Sequence, residues 1–161
     1  MPREKSAGAI IFRKEAGNIY YLLLHYPSKN RRGGHWEFAK GHVEQGENEE
    51  ETVKREVFEE TGIRDLNILP GFKQYIKYFF RSYPQKVQKT PLASPKPAGE
   101  GGWIFKLVTF FVAETKTKDI QISHEHQGFL WLPADEAIKK TTFKNSKILL
   151  KKANEFIIKN S

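Results

Sequence analysis

The fold of this chain is decided by the stretch GHVEQGENEEETVKREVFEETGI, which covers residues 41–63. Asn48 and Glu51 have the spacing of a capping box, in which each side chain satisfies the other residue's backbone N–H at the start of a helix. Gly62 suits the left-handed position just beyond a helix end. The sequence therefore predicts a helix that begins near Glu49 and ends at Gly62.

Three carboxylates of this predicted helix, Glu56, Glu59 and Glu60, lie at i, i+3 and i+4 and so share one helical face. Like charges at this spacing repel each other unless they share a cation, and clustered carboxylate oxygens suit Mg²⁺ or Mn²⁺. Val53 and Val57 lie on the flank of the helix, so that side can pack on a sheet while the carboxylates face the rim. A solvated acidic face would show the same spacing, and spacing alone leaves both interpretations open.

The distribution of charge sets this stretch apart from the rest of the chain. Residues 41–63 contain eight carboxylates and two cations, a net charge of −6, whereas the whole chain carries +8. Carboxylates can hold a metal ion, and the positive field of the other residues attracts phosphates. The pattern is typical of a site for divalent cations and polyanionic ligands.

The composition is that of an ordinary globular protein, since 39% of the residues are hydrophobic and 13% are aromatic. A length of 161 residues suits one domain over residues 1–161. The absence of cysteine excludes disulfides, thiolate metal sites and a cysteine nucleophile. No apolar run approaches the roughly 18 residues of a membrane span, and the start is too polar for a signal peptide. We therefore expect a cytoplasmic protein with no membrane partner.

Alternating and apolar runs predict a mixed sheet around the helix. The predicted strands are Ala7–Phe12, Ile19–Leu24, His35–Phe38, Ile68–Leu69, Phe72–Arg81, Trp103–Ala113 and Gln127–Leu132. A turn is predicted at Lys40 and Gly41, and two further helices at Pro133–Lys140 and Ser146–Ile158. Four of the eight prolines fall in residues 84–102. This composition predicts a flexible insertion between two strands.

Residues 41–63 match the whole signature of the Nudix hydrolases, with seven fixed identities and two aliphatic positions in agreement. The identities are Gly41, Glu47, Arg55, Glu56, Glu59, Glu60 and Gly62, and the aliphatic positions are Val57 and Ile63. A chain that resembles this family is expected to fold as a mixed-sheet α/β/α sandwich and to hydrolyse a nucleoside diphosphate linked to another group, by attack of water at phosphorus.

The resemblance also implies roles for single residues. Glu56, Glu59 and Glu60 match the carboxylates that bind divalent cations, helped by the backbone carbonyl that matches Gly41. Glu47 and Arg55 match a pair that fixes the loop before the helix. Glu56 is the first candidate for the general base, and the role of a metal ligand alone stays open for it.

Pieces outside the signature resemble the asymmetric diadenosine tetraphosphate hydrolases and their bacterial relatives. These pieces are residues 8–13, 22–24, 35–44, 71–73, 123–127 and 131–132. In that subfamily, aromatics that match Tyr78 and Phe143 sandwich an adenine, and a base that matches Lys106 or Lys40 meets the phosphate chain. The alternative is that both aromatics are core residues, as most aromatics in strands are.

The segment Ser-His-Glu-His-Gln at residues 123–127 contains a further candidate ligand. Glu125 matches a distal carboxylate that several Nudix enzymes use for an additional metal or as a base. His124 and His126 would point alike on an extended segment, but a zinc site there lacks a third ligand. Arg31 and Arg32 are expected to be solvated loop charges, and contact with phosphate is the alternative.

The favoured function is metal-dependent hydrolysis of a dinucleoside polyphosphate, in which diadenosine tetraphosphate yields ATP and AMP. One alternative is a pyrophosphohydrolase of RNA 5′ ends or of another nucleoside diphosphate-linked substrate, which the basic charge also suits. A non-catalytic module that binds nucleotides or RNA is another, although degenerate members generally lose signature carboxylates and this chain has lost none. The sequence leaves the oligomeric state open.

Overall fold

The computed structural model describes residues 3–28, 31–81 and 102–161, and these residues form eight strands and three helices. The strands are β1 (Arg3–Glu15), β2 (Asn18–Tyr26), β3 (His35–Glu37), β4 (Ala39–His42), β5 (Asn67–Ile68), β6 (Gln74–Arg81), β7 (Trp103–Glu114) and β8 (Gly128–Pro133). The helices are α1 (Glu49–Thr61), α2 (Ala134–Lys140) and α3 (Lys144–Lys159). The predicted insertion at 84–102 lies, apart from Gly102, outside the described residues.

Strand β1 is the centre of the sheet and explains its mixed character. One edge of β1 pairs in parallel with β7 from Arg3 to Phe12. The other edge is shared by two antiparallel partners, with β4 on the first half and β2 on the second half. The remaining strands extend the sheet outward, since β6 and β5 pair with β7 while β3 and β8 pair with β2.

The two faces of the sheet are covered by different helices. Ile10 and Phe12 of β1 belong to an apolar cluster with residues of α2 and α3, whereas Ala9 and Ile11 belong to a cluster that includes Val53 of α1. Successive strand residues point to opposite faces, so β1 contributes to both clusters. The predicted mixed-sheet α/β/α sandwich is confirmed. In the described part of the chain, no helix is long and apolar enough to cross a membrane.

The predicted boundaries of α1 are confirmed. The Asn48 side chain accepts a hydrogen bond of 2.8 Å from the Glu51 backbone N–H, and the Glu51 side chain accepts one from the Asn48 backbone. Gly62 closes the helix with φ 76°, a conformation that glycine adopts at little cost. Val53 and Val57 are fully buried, as their position on the helix predicts.

The turn predicted at Lys40 and Gly41 is wrong, because both residues lie in strand β4. Lys40 pairs with Gly8 and Gly41 pairs with Ala7 of the central strand. Gly8 permits this approach, since a Cβ there would lie 2.6 Å from the Ala39 backbone oxygen. Because neighbouring residues of a strand face opposite sides of the sheet, Lys40 and Gly41 face opposite sides in β4.

Candidate active site

Arg55 of α1 holds the loop before the helix in place. Its Nε donates to Glu47 Oε2 at 2.7 Å and its Nη2 donates to Glu47 Oε1 at 3.0 Å, while Nη2 also donates to the His42 backbone oxygen at 2.9 Å. Thr52 Oγ1 donates to Glu47 as well. The guanidinium lowers the pKa of Glu47 to about 2. The ion pair that the family resemblance implies is therefore present.

Glu56 and Glu59 lie on the other side of the same guanidinium. Arg55 Nη1 donates to Glu56 Oε1 at 2.8 Å and lies 3.3 Å from Glu59 Oε2. Glu56 packs so tightly on β4 that a Cβ at Gly41 would overlap its carboxylate. Only glycine at position 41 therefore leaves room for Glu56 in this place.

Glu60 is the most buried carboxylate of the three, with 6% of its surface exposed. Within the described residues Glu60 Oε2 has no hydrogen-bond partner. Burial raises the pKa of Glu60 to about 8, and the charges of Glu56 and Glu125 act in the same direction. The prediction that all three carboxylates face the rim is thus wrong for Glu60, whose desolvated oxygen requires a partner.

The oxygen ligands of this site have the chemistry that a hard divalent cation prefers. Glu60 offers an unpaired buried oxygen, Glu56 lies against Gly41, and Glu59 has an accessible carboxylate. Glu125 is exposed, and its charge raises the pKa of Glu56 and of Glu60. As they stand, no three acidic or histidine side chains of the described residues form a group that could hold a metal ion.

A groove of about 310 Å³ lies on the opposite side of β4. Its lining includes all four residues that the sequence predicted to bind substrate, together with two that it did not; these residues are Lys40, Tyr78, Lys106, Phe143, Glu37 and Phe79. Lys40 Nζ lies 5.8 Å from the centre of the Tyr78 ring. Burial and the charge of Lys40 lower the pKa of Lys106. The groove thus combines aromatic rings with two amines.

The two aromatics of the groove differ in burial. Phe143 is the N-cap residue of α3 and is 40% exposed, so it is not a core residue. Tyr78 is half-buried and packs at the edge of the core beneath α2 and α3. Burial, followed by the charge of Glu37, raises the pKa of its hydroxyl to about 12. The alternative of two core aromatics is therefore wrong for Phe143, and Tyr78 belongs to both the core and the groove.

Glu37 was not predicted as a site residue. It is 1% exposed, and its carboxylate accepts hydrogen bonds from Ser146 Oγ at 2.6 Å and from the Phe38 backbone N–H at 3.1 Å. Burial raises its pKa, while Lys40 acts against that shift. Glu37 thus ties β3 to the first turn of α3, beside Phe143. Its place between Trp36 and Phe38 is the only signal in the sequence that could have indicated burial.

A row of rings connects the groove with the carboxylates. Phe143 contacts His35 at 5.4 Å between ring centres, His35 stacks on Tyr26 at 5.1 Å, and Tyr26 meets His126 edge-on at 4.4 Å. Arg31 is exposed, as expected of a loop charge, and its Cζ lies 5.7 Å from the centre of the Phe143 ring. The row ends at Glu60, whose carboxylate lies beside His126.

The two histidines of residues 123–127 do not point alike. His124 lies in a turn and is exposed, whereas His126 is buried. The His126 backbone N–H donates to the Ser123 oxygen, which bends the segment that was predicted to be extended. The two rings therefore cannot share a zinc ion in this arrangement.

Comparisons with known proteins show which family this chain resembles. The model of the NUDIX domain matches residues 2–152. The asymmetrical bis(5′-nucleosyl)-tetraphosphatase of Rattus norvegicus is 33% identical, over 95% of each chain. A crystal structure of a Caenorhabditis elegans Ap4A hydrolase in a binary complex superposes with a TM-score of 0.73 at 31% identity, over 96% of this chain and 98% of that chain. An RNA pyrophosphohydrolase of Bartonella henselae is 24% identical, over 97% of this chain and 91% of its own length.

Proposed function

This chain belongs to the Nudix hydrolase family, and we propose that it hydrolyses dinucleoside polyphosphates and cleaves diadenosine tetraphosphate to ATP and AMP. The observation that carries this proposal is the alternation of strand β4. Lys40 lines the aromatic groove, and the next residue, Gly41, lies against Glu56 on the opposite side of the sheet. A nucleotide base in the groove would therefore direct its phosphate chain past β4 toward the carboxylates.

The groove supplies affinity for a nucleotide. Tyr78 and Phe143 offer aromatic faces, and stacking of a base on such a face contributes about 1–3 kcal/mol. Lys40 and Lys106 offer amines to a polyphosphate, and burial, followed by the charge of Lys40, lowers the pKa of Lys106. Binding in the groove thus fixes which phosphorus reaches the carboxylates.

The carboxylate side would hold Mg²⁺ or Mn²⁺ through Glu56, Glu59, Glu60 and the Gly41 carbonyl, with Glu125 for an additional ion. A bound cation of this kind would lower the pKa of a coordinated water and neutralise charge that develops on the phosphate. Arg55 keeps Glu56 and Glu59 in place and anchors the preceding loop through Glu47. Glu56 serves either as the general base or as a ligand.

RNA 5′-pyrophosphohydrolysis is the second candidate. It is supported by the relative from Bartonella henselae and by the net charge of +8, which favours polyanionic substrates. The larger identity to the tetraphosphatases favours dinucleoside polyphosphates. A cytoplasmic location remains a prediction from the sequence.

Product analysis by chromatography tests the proposal. The protein is incubated with diadenosine tetraphosphate or with 5′-triphosphate RNA, in Mg²⁺, in Mn²⁺ and in EDTA. We expect equal amounts of ATP and AMP from the dinucleotide, no hydrolysis in EDTA, and recovery of hydrolysis on addition of Mg²⁺ or Mn²⁺. Formation of two ADP would contradict asymmetric cleavage. Faster release of pyrophosphate from RNA would support the second candidate, and no turnover of either substrate would favour a non-catalytic binding module.

A further inference from the structure

Two neighbouring side chains of the carboxylate cluster, Glu60 and His126, each have a buried polar atom without a hydrogen-bond partner. Among the described residues, three buried side-chain atoms lack a hydrogen-bond partner, and two of them are Glu60 Oε2 and His126 Nε2. The third is Arg13 Nε, on a different element. His126 Nε2 lies 3.7 Å from Glu60 Oε1, and both side chains are almost completely buried. Buried polar atoms are costly unless they are paired, so this adjacency requires a reason.

The surroundings of His126 hold its ring in one orientation. Its Nδ1 lies 2.9 Å from Ser123 Oγ, and the edge of the ring contacts Tyr26. The Tyr26 hydroxyl is itself fixed, because it donates to the Phe38 backbone oxygen at 3.0 Å. When the serine hydroxyl donates to Nδ1, the ring proton resides on Nε2, which faces Glu60.

The segment that carries His126 is fastened to the end of α1. The Ser123 backbone N–H donates to the Glu60 backbone oxygen, and the Gln121 backbone N–H donates to that of Thr61. The two backbone hydrogen bonds and the contacts of His126 with Ser123 and Tyr26 therefore restrict the distance between the imidazole and the carboxylate. A small movement of the Glu60 carboxylate would convert the 3.7 Å contact into a hydrogen bond.

We propose that His126 is a positioning residue for Glu60: its Nε2–H orients the Glu60 carboxylate so that the free oxygen faces a divalent cation. Donors behind a metal-ligating carboxylate restrict its orientation, and their loss typically weakens metal affinity. The inference rests on the proposed metal-dependent hydrolysis. His126 acts through Glu60 and does not contact the cation itself.

Binding of Mn²⁺ to the full chain, followed through the EPR signal of the free ion, tests this role. His126→Phe keeps a ring of similar size but removes the donor, and we expect its affinity for Mn²⁺ to fall by about 10-fold or more. His126→Gln keeps an N–H near the position of Nε2 and should retain near-wild-type affinity. His124→Phe changes the exposed histidine of the same turn and serves as the matched control, with no change expected.

Melting temperatures of the same preparations separate positioning from packing. A loss of Mn²⁺ affinity in His126→Phe with an unchanged melting temperature supports the proposal, whereas an unchanged affinity overturns it. Equal loss in His126→Gln also overturns it, since the donor is then irrelevant. If His126→Phe does not fold, Ser123→Ala decides: weaker Mn²⁺ binding in a stable protein supports the role, and wild-type binding overturns it.

Electron spin-echo measurements on the wild-type Mn²⁺ complex add a direct check. A strong coupling to a ligating ¹⁴N would mean that His126 binds the cation, and the proposed role would be wrong. The result is independent of the substrate. Should Mn²⁺ affinity depend on His126 in the expected way while the protein leaves diadenosine tetraphosphate intact, the proposed function would fail and the positioning role would stand.

Discussion

The two sides of strand β4 show two ways of building a binding surface. On the α1 side, charged groups from one helix and its preceding loop contact each other at 2.7–3.3 Å, with Arg55 between Glu47, Glu56 and Glu59. On the groove side, aromatic rings and amines converge from β4, β6, β7 and the start of α3. On the α1 side, ion pairs hold individual carboxylate oxygens in place, whereas the groove side presents ring faces and amines on which a ligand can bind. We therefore expect the α1 side to control the turnover number and the groove side to control the Michaelis constant.

Glu59→Gln is the strongest way to test this division, since it removes one charge of the cluster. We expect kcat for diadenosine tetraphosphate to fall by about 100- to 1000-fold, because a metal ion contributes several kcal/mol of transition-state stabilisation. The melting temperature should change little, because Glu59 is exposed and the substitution removes both its repulsion of Glu56 and its contact of 3.3 Å with Arg55. Steady-state kinetics at saturating Mg²⁺ measure this. Wild-type turnover would contradict a metal role for Glu59.

Gly41→Ala tests whether the α1 side depends on atomic fit. The added methyl group would overlap the Glu56 carboxylate, so Glu56 must move, and we expect kcat to fall by about 10- to 100-fold because misplaced catalytic groups cost this much. Gly128→Ala is the matched control, since a Cβ at Gly128 meets no atom within 4 Å. Equal kinetics for the two variants would show that the contact between Gly41 and Glu56 has no role in turnover.

Tyr78→Ala and Phe143→Ala test the groove side. Each substitution removes one stacking face, so we expect the Michaelis constant to rise by about 10-fold with little change in kcat, as loss of about 1–3 kcal/mol of uniform binding predicts. Phe58→Ala is the control, because Phe58 is 44% exposed, much like Phe143, but lies on α1. A large fall in melting temperature with an unchanged Michaelis constant would assign the ring to the core instead.

Glu47→Gln tests the ion pair of the α1 side through the pH dependence of stability. The folded-state pKa of about 2 lies below the ordinary value of 4.5, so pairing with Arg55 favours the ionised carboxyl. Its stabilisation is fully present above about pH 4.5 and is lost as the pH falls toward 2. We expect the difference in melting temperature between wild type and Glu47→Gln to shrink over that range. Glu44→Gln, whose carboxylate lies 3.7 Å from Arg55, should show a smaller difference at every pH.

The α1 side could be predicted because its residues follow each other within one helix and its loop. The capping box, the terminal glycine and the three carboxylates are local features, and local spacing determines where they lie on a helix. Burial of Glu60 could not be read from this spacing. It depends on the backbone of Lys40 and on residues 121–126, which contact α1 only in the folded chain.

The groove could be predicted only through resemblance to a family. Lys40, Tyr78, Lys106 and Phe143 lie far apart in the sequence, and no periodicity connects them. Strand β4 was missed because it has four residues, one of them glycine, and its pairing with β1 joins residues at least thirty positions apart. Glu37 was missed because a buried glutamate and a solvated one look alike until Ser146 is placed beside it.

The parallel pairing of β1 with β7 also determines when the protein can fold during synthesis. Gly8 pairs with Phe110, so one edge of the central strand has no partner until about a hundred further residues have been made. At about 5–20 residues per second, the nascent chain spends several seconds or more with this apolar edge open, although the hairpin with β2 can already form. Such a delay exposes an aggregation-prone strand. Chaperone binding to the nascent chain should therefore be strongest before β7 leaves the ribosome.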